Sequence, residues 1–298
     1  MVTLSEVLAD LRAESAALDD LVSGLSEVDW SRPTPAPGWT VAHQISHLAW
    51  TDHAATLAAT SSVEFIRLLN EVLEESDSFL DRVAADGIAP PPELLARWRA
   101  GRVALAEALL SAFPGEKLPW FGTAMSSLSS ATGRLMETWA HGQDIADTFA
   151  GDAGPLGAAA QRLRQPTPRL RHVAYLGYRT IGHGFAAHGL PAPLHQFRVE
   201  LSTPDGALWT FGPPDAGDRI AGPALDFCLL VTQRRHPADL ALQATGDRAR
   251  QWFGVAQAFA GPPGAGREPS GNREASANRE PSGKGEPSGN REQAGQRT

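Results

Sequence analysis

Five stretches in the first 150 residues carry apolar side chains three, four or seven positions apart, and short Pro/Gly-rich breaks separate them. That period belongs to amphipathic helices. The first stretch, residues 3 to 26, sets Leu4, Val7, Leu8, Leu11, Leu18, Val22 and Leu25 at these spacings. The second opens at Thr40, after the breaker-rich SRPTPAPGW, and places His43, His47 and Trp50 on closely related faces. Further patterns cover roughly 62 to 85, 92 to 113 after the APPP break, and 124 to 150. Long helices joined by short breaks bury their apolar faces against one another, so the spacing predicts an antiparallel bundle.

The period changes after about residue 190. QFRVELSTPDGALWTFG alternates polar and apolar residues on both sides of the turn signal PDG, which reads as a β-hairpin. GPALDFCLLVTQRRH reads as helix, ADLALQAT as a short strand, and DRARQWFGVAQAFAG as a closing helix. The expected fold is therefore a helical bundle over residues 1–155 and a small α+β domain over 156–264, with the boundary near GDAGPLG. From 267 the chain runs REPSGN, REASAN, REPSGK, GEPSGN, REQAGQ, RT, a near-repeat of six without a large apolar side chain. Such a segment buries too little surface to offset its ordering entropy, so residues 265–298 are expected to form a disordered tail.

Charge and cysteine content narrow the function. The net charge is −8, and up to residue 266 there are 20 basic against 29 acidic side chains, a balance unsuited to nucleic acid or an anionic membrane. The single cysteine, Cys228, forms no internal disulfide, and no stretch has the length and apolarity of a spanning helix or a signal peptide. A cytoplasmic protein acting on a small molecule is the expectation. Cys228 lies among Phe227, Leu229 and Leu230 and reads as an inert core thiol.

The chemistry concentrates in two short segments. In METWAHGQD, Glu137 and His141 are four apart on a helix and share a face. In GWTVAHQISHLAW, His43 and His47 repeat that spacing on another helix. Catalytic zinc commonly takes three protein ligands of the His/His/Glu kind and keeps one position open. Structural roles compete with this: Glu137 pairing with Arg134, and His141 bonded to a backbone carbonyl. His53 points to another side of its helix, and His183 and His188 have a poor ligand spacing, so none of these three is given a role. Trp39, Trp50 and Trp139 are candidates to line a pocket or to build the core.

GWTVAHQISHLAW together with RLMETWAHGQDIADTFA resembles the paired helical motifs of the DinB-like metal-binding bundles, in the branch of mycothiol-dependent maleylpyruvate isomerase. RLRHVAYLGYRT, the hairpin and GPALDFCLLVTQRRH are similar to metal-binding proteins whose second domain carries a wyosine-base-formation label. The resemblance covers about residues 5 to 264 and implies a divalent metal, zinc first, held by His47, Glu137 and His141. It also implies mycothiol as a cosubstrate. Asp144 matches the family's His-x-x-Asp pattern and is expected to brace a ligand histidine or a backbone donor. His43 is a candidate fourth ligand, proton shuttle or base, and Arg234 or Arg235 a candidate clamp for a substrate carboxylate. The resemblance implies a metal-dependent isomerase or transferase that activates a low-molecular-weight thiol against a small electrophile. A thiol-independent lyase, cyclase or hydrolase and a non-catalytic metal-binding protein are the alternatives, the last requiring a closed site with His43 as fourth ligand. The wyosine label invites a transfer-RNA role, which the acidic body and the lack of a cysteine cluster oppose.

Overall fold

A computed structural model describes residues 2–270 except 75–78, 204, 262 and 265. The bundle consists of α1 (Leu4–Val22), α2 (Val41–Thr60), α5 (Pro91–Ser111) and α6 (Ser127–Phe149), with α3 (Ser62–Glu74) and α4 (Phe79–Asp86) laid against α2. The expected helix over 62–85 corresponds to α3 and α4, and residues 75–78 between them lie outside the described residues. Local chemistry sets the helix starts. Thr3 and Glu6 exchange side-chain and backbone hydrogen bonds at the head of α1. Pro91 and Pro92 open α5, where a missing N–H costs nothing. Ser126 accepts from Ser129 N at the start of α6.

Between the bundle and the sheet the chain makes α7 (Gly154–Leu163), α8 (Leu170–Arg179) and α9 (Ile181–Ala187), short helices that the sequence reading does not specify. The sheet has strands β1 (Arg198–Ser202), β2 (Leu208–Phe211), β3 (Arg219–Pro223) and β4 (Gln243–Thr245) in the order β2-β1-β3-β4. The β1–β2 hairpin is the expected one, with Val199 opposite Phe211 and Ser202 opposite Leu208. β3 runs parallel to β1 and is an addition, because RIAGP is short, ends in Gly-Pro and runs straight into α10 (Ala224–Val231). α11 (Asp247–Phe253) closes the domain. Gly177 lets α8 approach α10 closely: a Cβ there would sit 2.9 Å from Phe227 and Val231. No helix among the described residues is long and apolar enough to cross a membrane.

The core divides into two apolar clusters. Val7, Leu8 and Leu11 of α1 and Leu135, Met136, Trp139 and Ala140 of α6 join the sheet domain in one. Leu18, Leu21, Ile145 and Phe149 belong to the other, with Ile45 and Leu48 of α2. At the changeover along α1, α2 and α6 stand buried polar residues: Glu14 and Ser15, Thr51 and Asp52, His141 and Asp144. Buried polar groups are costly unless paired, so this layer is a candidate functional region.

Candidate metal centre

α2 and α6 carry His47, Glu137 and His141 to one point. One ligand atom from each lies within 4.8 Å of the others. Glu137 Oε2 is 3.1 Å from His141 Nε2 and 3.9 Å from His47 Nε2. Tetrahedral ligands about 2.1 Å from a zinc ion are about 3.4 Å apart, and the two separations bracket that spacing.

The protonation pattern also fits a cation. Gln44, one turn before His47, accepts from His141 Nδ1–H through Oε1, and its amide nitrogen donates to Thr34 Oγ1 at 2.9 Å, which fixes the amide orientation. His141 therefore turns the lone pair of Nε2 toward Glu137. Burial holds the His141 proton affinity down, to a pKa of about 4, so the ring is neutral near pH 7. A lone pair and a carboxylate thus face each other at 3.1 Å. The buried His47 Nδ1 has no hydrogen-bond partner among the described residues, and its Nε2 contact at 3.9 Å is too long for a hydrogen bond. Two imidazoles and a carboxylate form the donor set of a divalent cation site, and the residues fit one.

Trp39 covers the pair of histidines. Its ring stacks on His141 at 5.9 Å and tilts against His47 at 5.2 Å, and its indole N–H donates to Asp81 at 2.7 Å. Trp50 instead joins Phe79 and Phe121, and Trp139 is 3% exposed in the core. Arg134 does not pair with Glu137. Its guanidinium bonds Asp52 at 3.0 Å and Thr51 Oγ1 at 2.6 Å.

The remaining candidates take other positions than the spacing suggested. His43 serves the start of α2: its Nδ1 accepts from Thr40 N at 3.2 Å and contacts the Thr40 hydroxyl at 2.8 Å. That nitrogen is occupied, and His43 is not among the three grouped ligand atoms. Asp144 is buried but braces no histidine; Gln44 fills that place. Asp144 pairs with Arg234 Nε at 3.0 Å and with Arg267 Nη2. Arg234 also donates to the Ala140 carbonyl at 3.2 Å, one residue before His141, whereas Arg235 grips Asp147 through two bonds of 2.6 and 2.8 Å. The turn that delivers both arginines passes through Gln233, whose φ of +56° is left-handed, a conformation that costs a non-glycine residue about 1–2 kcal/mol. Cys228 is fully buried, and burial pushes its thiol pKa up, so it stays protonated.

Residues 11–146 match the family described as the mycothiol maleylpyruvate isomerase N-terminal domain, and residues 194–245 match the one described as wyosine base formation. An uncharacterized protein of Mycobacterium tuberculosis, present in two strains, is 49% identical over 261 residues, spanning 87% of this chain and 97% of the relative. The chain belongs to the family that carries the mycothiol maleylpyruvate isomerase N-terminal domain. The fold of this family member is that of a crystal structure of the mycothiol-dependent maleylpyruvate isomerase, with a TM-score of 0.53 at 16% identity over 82% of this chain and 93% of that one. A mutant of the same enzyme matches with a TM-score of 0.53 at 15% identity.

Replacing Gln44 with alanine is expected to weaken divalent-metal binding by about 10- to 100-fold, the usual cost of losing the partner of a ligand histidine. Competition titration against a chromophoric chelator reads this directly, and an unchanged affinity would deny His141 a ligand role.

Proposed function

We propose that this family member is a metal-dependent enzyme that activates a low-molecular-weight thiol, mycothiol, for isomerisation of or S-transfer to a small electrophilic metabolite. The observation that carries the reading is the grouping of His47, Glu137 and His141 within 4.8 Å, in a chain of the mycothiol isomerase domain family. Zinc is the first candidate by donor chemistry. A divalent cation bound there supplies Lewis acidity, which lowers the pKa of an incoming thiol from about 8.5 so that it is deprotonated.

The chain's own residues have distinct tasks in this reading. Glu137 brings the negative charge and His47 and His141 bring imidazole donors, while Gln44 holds the ring of His141 in one tautomer. Trp39 lies across both imidazoles and excludes water from that side. Arg234 stands beside His141, and its Nη2 makes no hydrogen bond among the described residues, which suits it to a substrate carboxylate. Cys228 supplies no nucleophile, so the thiol must come from solution. His43, committed to Thr40, does not supply the fourth ligand that a closed structural site would need. The net charge of −8 supports a small molecule over transfer RNA, whatever the label of the second domain suggests.

The test is elemental analysis of purified protein followed by incubation with mycothiol and a panel of cis-alkenoate and other electrophiles. Bound metal with loss of free thiol, or with cis-to-trans conversion at constant thiol, is the expected result. Bound metal without thiol dependence across the panel would point to a hydrolase or lyase instead.

A further inference from the structure

Arg267 lies in the chain just after the sheet domain, flanked by exposed Gly266 and Glu268, yet its side chain is only 9% exposed. It points into the bundle. Nη1 donates to the Pro35 carbonyl and Nη2 to Asp144 Oδ1, and the buried Nε has no partner among the described residues. Neutralising Asp144 does not require this residue, because Arg234 already stands 3.0 Å from it. A second cation, with an unsatisfied donor, carries a cost that the geometry has to explain.

The explanation lies in what Pro35 belongs to. Residues 33 to 40 form a tight loop, closed by a Pro33–Thr40 bridge and by Thr34 N donating to Trp39 O at 2.7 Å. Two side chains of this loop reach the metal ligands. Trp39 stacks on His141, and Thr34 orients the Gln44 amide that holds His141 Nδ1–H. The other prong of Arg267 grips Asp144, one turn beyond His141 on α6. On its far side the same segment is fixed by Ser270, which donates to Asp239 from both backbone N and Oγ, the latter at 2.7 Å.

We infer that Arg267 is a positioning residue of the metal centre: it fastens the end of the sheet domain to both the 33–40 loop and α6, fixing Trp39 and the Thr34–Gln44–His141 chain. The inference rests on reading His47, Glu137 and His141 as metal ligands. A fork is needed for it. Arginine spans a carbonyl and a carboxylate at once, which a lysine ammonium does not do in the same geometry.

The experiment uses the full chain with Arg267→Gln and Arg267→Lys, and Arg219→Gln as a control that loses an ion pair to Glu200 in the sheet. Both Arg267 variants keep Arg234 on Asp144 and are expected to fold. Hydrogen exchange of the metal-free proteins is expected to be about tenfold faster at residues 33–40 in both, the scale of one lost charge-assisted bond, with α1 unchanged. Zinc transfer to a chelator is expected to be about tenfold faster from both, at the low end of losses from perturbed outer partners. The control should alter neither. Loop exchange at the wild-type rate in Arg267→Gln would overturn the inference. Faster loop exchange with unchanged zinc release would overturn the positioning role and leave a loop anchor. Zinc held by neither wild type nor variant would overturn the metal reading itself, while the loop exchange would still show whether the fastening exists.

Discussion

Replacing Glu137 with glutamine is expected to strip the protein of its metal while leaving the bundle folded. Glutamine keeps the shape of the side chain and removes the one negative charge in the donor set, so the loss should exceed the roughly 100-fold upper end for an outer partner such as Gln44. Stability should move much less. The Glu137 side chain is 22% exposed, and burying its charge is already a cost, so a neutral amide carries no new penalty. Metal content by elemental analysis and unfolding by circular dichroism separate the two effects. A wild-type protein that holds metal, beside a folded variant that holds none and shows no thiol-dependent turnover, is the expected pair of results. If chelation alone melts the wild type and no activity accompanies the metal, the ion serves only to pin helices, and the catalytic reading fails.

Glu137 and His141 are legible in the sequence as ligand candidates because helical periodicity is a strong signal and their pairing needs only a spacing of four, whereas the family resemblance, not the spacing, favours His47 over His43. The bundle and hairpin were legible for the same reason: the periods of 3.6 and two persist over many residues. What escaped depends on contacts between distant segments. Gln44 shares the face of His47, but nothing in a lone glutamine says that it will hold a histidine 97 positions away. For Asp144 the sequence suggests a ligand histidine or a backbone donor as partner, and the arginines that hold it come from the far domain and the terminal segment. Arg267 opens a low-complexity repeat, where composition argues against any fixed contact; residues 271–298 of that expected tail lie outside the described residues. β3 and α7 to α9 are short and interrupted by Gly and Pro, so their periodicity is too brief to read. The sequence offers Trp39 for a pocket or the core, but its place over both imidazoles follows from the loop closed by the Pro33–Thr40 bridge, which no periodic pattern encodes.

The second large effect concerns the buried ion pair near the candidate ligands. Arg134 and Asp52 are 3% and 4% exposed, and they join α6 to α2 at 3.0 Å, with Thr51 Oγ1 accepting from the same guanidinium. Arg134→Met leaves Asp52 buried and uncompensated, so unfolding free energy should fall by about 3–5 kcal/mol. The pH dependence has a definite sign. Burial already raises the Asp52 pKa although Arg134 pulls it down, and without Arg134 it rises further. The folded variant then binds a proton that the unfolded chain releases near the ordinary value of about 4, so its deficit is largest at neutral pH and shrinks as pH falls toward 4. The paired replacement Asp52→Leu, Arg134→Met removes both charges and should recover most of the loss, within about 1–2 kcal/mol of wild type. Denaturant unfolding of the wild type and the two variants between pH 4 and 8 checks this, and equal losses for the single and paired variants would show that packing rather than the stranded charge sets the cost. Asp52 lies five residues after His47 and Arg134 three before Glu137, so the pair is placed to align the two helices that carry the candidate ligands. A paired variant with recovered stability but weakened zinc binding would show that alignment is what the buried charges contribute. Recovered stability with undiminished zinc binding would confine them to the core.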